Sequence, residues 1–344
     1  MRVRTPDRID MIAQLDSNYF KTRPTKIFTR LFSYFLVEGR PVTAPGRFIN
    51  PITFLFLKVY ATAFGIRKKE LSPIFILGTG RSGTTLLGKI LSIHKDVAYL
   101  NEPKAIWHEV FKNEDLIGNF TSKAGKYRLD PNSITPIQRR RLNGIYSAIL
   151  AVTRNSRVVD KYPELIFRYD FVKKIFPNAK FVVISRNGID TAGSIASWSK
   201  RNQISKVNLT ENWWGKNHRK WEYLVDQIVK HDRDLKPIHN EISNMKDDVN
   251  RGAVEWIVTM NEALQLLEKN KEILLVTYES LIKTPEYVMK NIYSFCELND
   301  DLKSVEYAKL QINSNEKKYE LTTLSPLLRK IIDRISVEIE AKLN

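Results

Sequence analysis

The sequence predicts an α/β fold: a doubly wound parallel sheet with helices on both faces, a P-loop-like turn and an N-terminal helical extension. Three observations carry this prediction. Short, continuously apolar runs such as "PIFIL" (Pro73–Leu77), "KFVVIS" (Lys180–Ser185) and "EILLVTY" (Glu272–Tyr278) lack the alternation of a one-sided sheet, so they read as strands covered on both faces. Helical patterns, with apolar residues three and four apart, follow these runs. A glycine-rich turn, "GTGRSGTT" (Gly78–Thr85), joins the first of these strands to the first of these helices.

The elements follow in chain order. "ITFLFLKVYATAFGI" (Ile52–Ile66) is expected to be an N-terminal packing helix. It is shorter than the ~20 residues of a membrane span, and Lys58 interrupts it; contact with a membrane surface is the alternative reading. After "PIFIL", the apolar face of the first core helix is Leu86, Leu87, Ile90 and Leu91. "VAYL" (Val97–Leu100) adds a strand, and "RVVD" (Arg157–Asp160) another, leading into a helical "YPELIFRYDFVKKIFP" stopped by Pro177. "KFVVIS" precedes a helix from about Asp190 to Ser199. Within 251–270, Ala253, Trp256, Ile257, Met260, Leu264 and Leu267 have helical spacing. The last strand leads into "TPEYVMKNIYSFCEL", opened by Pro285. Residues 200–250 are polar and Trp-punctuated, and look inserted between two strands.

Composition narrows the function classes. Against 38 acids stand 55 Lys and Arg, a net charge of +17. Such an excess favours polyanionic partners: a nucleotide, an acidic glycan, nucleic acid or an anionic membrane face. The single cysteine, Cys296, excludes an intramolecular disulfide and a cysteine-based zinc site; among its apolar neighbours it reads as a buried structural thiol. The N-terminus is too charged for a secretory signal, so a soluble cytoplasmic protein is expected, with contact at the inner membrane face as the alternative.

The chemistry concentrates at the glycine-rich turn. A turn between a strand and a helix presents several backbone N–H groups to an anion, and the helix N-terminus adds favourable partial charge. Gly78, Gly83 and Thr85 keep the P-loop spacing G-x-x-x-x-G-K-S/T, but Thr84 occupies the lysine position and Arg81 lies inside the loop. The strand "FVVIS" ends in Arg186 rather than an acid that could help hold Mg²⁺. Anion binding by arginine, with no obvious Mg²⁺ ligand, suits a donor that needs no metal.

Here the chain resembles a known family. "GTGRSGTTLL" resembles the 5′-phosphosulfate-binding loop of sulfotransferases that use 3′-phosphoadenosine 5′-phosphosulfate (PAPS). "SRNGIDTAGSIASW" is similar to the family's second signature, in which an Arg after a strand and a Ser eight residues on hold the donor 3′-phosphate. The resemblance therefore assigns donor binding to Gly80, Arg81, Ser82, Gly83, Thr84 and Thr85, and the 3′-phosphate to Arg186 and Ser194. "LLVTYESLIKTPEYVM" is similar to the segment lining the adenine, which implies that role for Tyr278. The likeness spans roughly residues 73–300, and its motif layout is closest to the tyrosyl-protein and carbohydrate branch.

That branch implies the catalytic groups as well. Glu102, just past the second strand in "VAYLNEPKAIW", matches the branch's basic glutamate; capping the helix near Pro103 is the competing role. His94 and His108 are the rival bases, His94 reading as an exposed turn residue. "VVDKYPELIF" implies Lys161 as a cation on the phosphosulfate beside Arg81. Asp160 would orient Lys161, or ligate Mg²⁺ in a kinase. Ser314, Lys317 and Lys318 in "NSNEKKYEL" are candidates for a loop that closes over the donor. Trp213, Trp214 and Trp221 have helical spacing and are expected to pack, with sugar stacking as the alternative. The basic "QRRRL" (Gln138–Leu142) reads as a solvated face.

The expectation is thus a metal-independent, in-line sulfuryl transfer from PAPS to a hydroxyl on a glycan, lipid or small molecule. A carbohydrate or glycolipid is preferred, the product nucleotide is 3′-phosphoadenosine 5′-phosphate (PAP), and no nucleic acid is a partner. Residues 1–70 would form the extension and 71–344 the sulfotransferase domain, with about 200–250 on the acceptor side. The alternatives are a divergent P-loop kinase of a small metabolite and a non-catalytic basic binding protein built on a nucleotide fold.

Overall fold

The computed structural model describes residues 12–41, 46–63, 70–312, 318–319 and 322–343. Among them the parallel sheet is formed by β1 (Ile74–Gly78), β2 (Val97–Asn101), β3 (Arg157–Lys161), β4 (Lys180–Ser185) and a last strand. Before that strand comes a small antiparallel sheet of β5 (Ile204–Lys206), β6 (Leu209–Asn212) and β7 (Gly215–Lys216); the last strand is β8 (Ile273–Thr277). The parallel sheet has the order β2-β3-β1-β4-β8. Because β1 is flanked by β3 on one side and β4 on the other, its carboxyl end lies where successive crossovers part, the position at which open α/β sheets bind ligands.

Helices α1 (Ser17–Thr22), α2 (Lys26–Leu36) and α3 (Asn50–Ala63) precede the sheet. α4 (Thr84–Ile93) follows β1, and α5 (Lys104–Val110) and α6 (Pro136–Thr153) separate β2 from β3. α7 (Tyr169–Ile175) leads to β4 and α8 (Gly188–Asn202) leaves it. After the small sheet come α9 (Arg219–Gln227), α10 (His239–Ser243) and the long α11 (Asp248–Lys269). β8 is followed by α12 (Tyr278–Lys283), α13 (Pro285–Cys296), α14 (Leu302–Gln311) and α15 (Pro326–Leu343).

Alternate strand residues supply the two cores, because successive side chains of a strand point to opposite faces. Ile74, Ile76, Val182 and Ile184 pack with Leu87, Ile90 and Leu91 of α4 and with Met289 and Ile292 of α13. Phe75, Leu77, Phe181 and Val183 pack on the other face with Trp107, Ile145, Trp256 and Ile332. A doubly covered parallel sheet is what the continuous apolar runs predicted.

Three local expectations need correction. "YPELIFRYD" begins as a 3-10 helix over Pro163–Arg168 before α7. The buried Arg168 guanidinium reaches back to the carbonyls of Glu114, Lys126 and Tyr127, and these bonds hold the tighter turn. Trp213 and Trp214 are not on a helix but between β6 and β7, and only Trp221 lies on α9. Trp214 and Trp221 do pack, edge to face at 5.4 Å. His94 is buried rather than exposed: its Nε2 donates to the Asn299 carbonyl at 2.8 Å and its Nδ1 accepts from the Asp96 N–H at 3.1 Å.

Cys296 is buried as expected, and burial pushes its thiol up to about 12, far from the thiolate a nucleophile needs. No helix among the described residues is long and apolar enough to cross a membrane. Ile66, Ser314 and Lys317 lie outside the described residues.

Candidate active site

Strand register decides what meets at the carboxyl edge of the sheet. Asn101 pairs with Lys161 and Ser185 with Thr277. Glu102, Arg186 and Tyr278, each one residue beyond its strand, therefore stand on the same edge as the loop after β1.

That loop is tight and partly left-handed, with φ of 72° at Arg81 and 97° at Gly83. For a non-glycine residue this conformation costs about 1–2 kcal/mol, so the fold must hold Arg81 there. Ser82 does much of that holding. Its hydroxyl bonds the Thr79 and Ile184 carbonyls at 2.7 and 3.0 Å, and its N–H donates to the Thr79 carbonyl. These bonds stitch the loop to β4. Gly83 must be glycine for a second reason, since a Cβ there would lie 2.5 Å from the Tyr278 ring.

On one side of the loop Arg81, Gly83, Thr84, Thr85, Arg186 and Tyr278 line a cavity of about 380 Å³. Arg186 lies over the Tyr278 ring at 4.6 Å, a cation–π arrangement that fixes both. Its carbonyl accepts from Trp256 Nε1 at 2.9 Å, which anchors the turn between β4 and α8 to the core. Ser194, nearly two turns into α8, accepts a hydrogen bond from Arg81 Nε at 3.2 Å. The fold thus joins the two phosphate signatures directly. Tyr319, which sequence reasoning passed over, donates its N–H to Asp190 at 3.0 Å and lies against Gly193, beside Ser194; Lys318 adjoins it.

On the other side lies a second cavity, of about 310 Å³, whose wall includes Gly80, Arg81, Thr84, Thr85, Glu102 and Lys161. Glu102 has φ 48°, its N–H donates to the Lys161 carbonyl at 2.7 Å, and its carboxylate accepts from Lys161 Nζ at 2.6 Å. Lys104 lies 3.4 Å from the other carboxylate oxygen. Desolvation works to protonate Glu102, but the charges of Lys161 and Lys104 outweigh it and hold the carboxyl well below its ordinary range. Its side chain is 40% exposed, against 1% for Lys161, so the pair offers its carboxylate end to the cavity. Glu102 does not cap α5, whose N-cap is Pro103.

The pair continues into a row of alternating charges that the sequence did not reveal. Lys104 lies 3.7 Å from Glu164, Glu164 3.4 Å from Lys220, and Lys220 2.6 Å from Glu255, which also accepts from Trp213 Nε1 at 2.6 Å. Burial would strip the proton from Lys104 and Lys220, yet the facing glutamates raise both above the ordinary lysine value. Trp213 closes over the loop: a Cβ on Gly80 would meet its ring at 2.4 Å. No motif announces this row, because its members come from four separated segments.

The N-terminal helices hold the turn that carries Glu102. Glu38 forms a buried, bidentate ion pair with Arg30, accepts the Asn101 N–H at 2.7 Å, and through its own carbonyl accepts the Ala105 N–H at 3.3 Å. The strained residue is thereby clamped on both flanks.

Two candidates are not brought to the site. His108 is buried against Phe54 and Phe120, with Nδ1 3.9 Å from Glu114, and is absent from the cavity wall. Asp160 turns into the core, where Trp107 Nε1 and the Tyr146 hydroxyl donate to it at 2.9 and 2.5 Å. It neither orients Lys161 nor faces a ligand. Among the described residues no group of three or more His, Cys, Asp or Glu is placed to hold a metal ion.

Residues 73–240 match the profile described as "Sulfotransferase family". The chain is similar to an uncharacterized protein of Aquifex aeolicus, 26% identical over 77% of this chain and 30% of that one. It is also similar to the protein-tyrosine sulfotransferase of Drosophila melanogaster, 27% identical over 48% of this chain and 33% of that one. The chain spans between 30% and 53% of the length of the relatives it matches. Among solved structures, sulfotransferase STF1 from Mycobacterium tuberculosis H37Rv aligns with a TM-score of 0.48 and 14% identity, over 94% of this chain and 93% of that one.

Proposed function

We propose that this chain, whose residues 73–240 belong to the sulfotransferase family, moves the sulfuryl group of PAPS to an acceptor hydroxyl. One observation carries the reading: the two cavities meet at Arg81, Thr84 and Thr85, with arginines and an aromatic on one side and a carboxylate–lysine pair on the other. An in-line displacement needs that layout, donor and acceptor on opposite sides of one anion-binding loop.

The residues present fit the donor. Arg186 and Ser194 would hold its 3′-phosphate, Tyr278 would line the adenine, and loop N–H groups with Arg81 and Lys161 would take the 5′-phosphosulfate. Arg81 couples the two ends, since it already bonds Ser194. On the acceptor side Glu102 would remove the hydroxyl proton as the oxygen attacks sulfur. The bond from sulfur to the bridging oxygen breaks, and PAP leaves with the electron pair. Arg81 and Lys161 stabilise the charge growing on that oxygen.

A carboxylate clamped by two lysines is a weak base, so the ion pair must loosen for Glu102 to act. A phosphosulfate beside Lys161 competes for its ammonium; as Lys161 turns to it, the proton affinity of Glu102 rises. Base activation is in this way tied to the presence of donor.

The acceptor wall supports a neutral substrate. Lys104 and Lys220 are already matched by Glu164 and Glu255, and Asn212 and Trp213 add a polar group and an aromatic face. We read this as a hydroxyl on a carbohydrate or glycolipid. Residues 71–344 would act as the catalytic domain, with 200–250 building the acceptor wall. Incubation of the chain with labelled PAPS and candidate acceptors (oligosaccharides, glycolipids, tyrosine peptides) tests the reading. Label transferred to a hydroxyl and lost with Glu102→Gln is expected; Mg²⁺-dependent phosphate transfer from ATP instead would overturn it.

A further inference from the structure

The outer face of the N-terminal helices has no role in the chemistry and is unusually apolar. Phe48, Ile52, Leu55 and Val59 follow one another in steps of four, three and four, the spacing of one helix face, and are between 50 and 87% exposed. On α2, Phe28 and Phe35 are exposed too, seven residues apart. α2 and α3 are in contact, with Phe32 of one against Tyr60 of the other, so the two helices form one layer. A contiguous apolar stripe of this kind calls for a partner.

Charge identifies the partner. Between Glu38 and Glu70 the sequence has six Lys or Arg and no acid. Lys58 is exposed within the stripe, Arg47 stands at its head, and Arg67-Lys68-Lys69 follow α3 in the sequence. A second copy of the chain would bring these cations against themselves across a two-fold axis. Nucleic acid would satisfy the cations and leave the aliphatic and phenyl groups in water. An anionic lipid surface satisfies both, apolar side chains entering the acyl boundary and cations meeting headgroups.

We propose that α2 and α3 dock this chain on the surface of an anionic membrane, α3 lying in the interface plane. With 14 residues α3 is far too short to span one. The same end of the molecule borders the acceptor cavity: Pro41 lies on its wall, and Arg47 is 3.7 Å from Glu211, the neighbour of the wall residue Asn212. Docking therefore brings the cavity to the bilayer, which suits an acceptor hydroxyl on a lipid headgroup. That last clause rests on the sulfuryl-transfer reading; the docking does not.

The test is co-sedimentation of the full chain with vesicles of phosphatidylcholine alone or with about 30% phosphatidylglycerol. The chain is expected to pellet with the anionic vesicles, and added salt should release it. Leu55→Glu with Val59→Glu should weaken binding at least tenfold, and Lys58→Ala about fivefold. PAP affinity, read by calorimetry, should be unchanged in these variants. Equal binding by the double variant, or no binding to either vesicle, overturns the proposal. So does a wild-type dimer that the double variant splits, because a second copy would then cover the stripe. Vesicle binding by a chain that does not bind PAP would leave docking standing and remove the transferase reading.

Discussion

Glu102 and Lys161, the first residue after β2 and the last of β3, meet at 2.6 Å on the wall of one cavity. Neither is placed by its own segment alone. Lys161 is driven inward by the strand, and Glu102 is turned toward it by a left-handed backbone clamped through Glu38. The pairing keeps the carboxylate ionised and makes its basicity depend on where the lysine points.

Glu102→Gln keeps the shape of the turn and removes the proton acceptor. Transfer should fall by roughly 10²–10⁴, the usual contribution of a positioned base, while the PAP dissociation constant stays within about twofold. Steady-state rates and calorimetry on the same preparation check this. A variant as active as wild type would remove Glu102 from the mechanism.

Arg186→Ala removes a charged contact from the donor side only. Charge-assisted hydrogen bonds contribute ~1.5–3 kcal/mol, so PAP affinity should drop about 10- to 150-fold. The acceptor KM should hold. An unchanged PAP dissociation constant would separate Arg186 from the 3′-phosphate.

Asp160 gives a stability signature. Burial raises its carboxyl to about 7 even though Tyr146 and Trp107 donate to it. Unfolded, it releases its proton near pH ~4. Folding therefore takes up a proton between these values, and stability falls as pH rises through that window. Glu114, raised to about 7 mainly by burial, acts in the same direction. Asp160→Asn still accepts through Oδ1 and has no charge to bury. Its melting temperature should decline less than that of wild type between about pH 5 and pH 7.5. Parallel pH profiles of the two proteins would contradict the raised carboxyl.

How much of this was legible in the sequence follows from the range of the interactions. The sheet was legible because each strand is a continuous apolar run, a local property. The loop, Arg186 and Ser194 were legible because their spacing along the chain is short. The direct bond from Arg81 to Ser194 was not, since it depends on β1 lying beside β4. The row from Glu102 to Glu255 was invisible for the same reason: its charges are adjacent only after four segments converge. Asp160 misled because a carboxylate next to a lysine in sequence points to the opposite face of a strand. The expected helical spacing of the three tryptophans failed where a two-residue connection between β6 and β7 broke the period.

On the sulfuryl-transfer reading, the loop with Thr84 in the lysine position takes a single phosphosulfate with a 3′-phosphate, not a metal-bound triphosphate. Calorimetric titration of the chain with PAP in the presence of EDTA, set beside titration with Mg·ATP, tests it directly. PAP is expected to bind without Mg²⁺ and at least tenfold tighter than Mg·ATP, a difference of about 1.4 kcal/mol or more. Equal or tighter binding of Mg·ATP would contradict it.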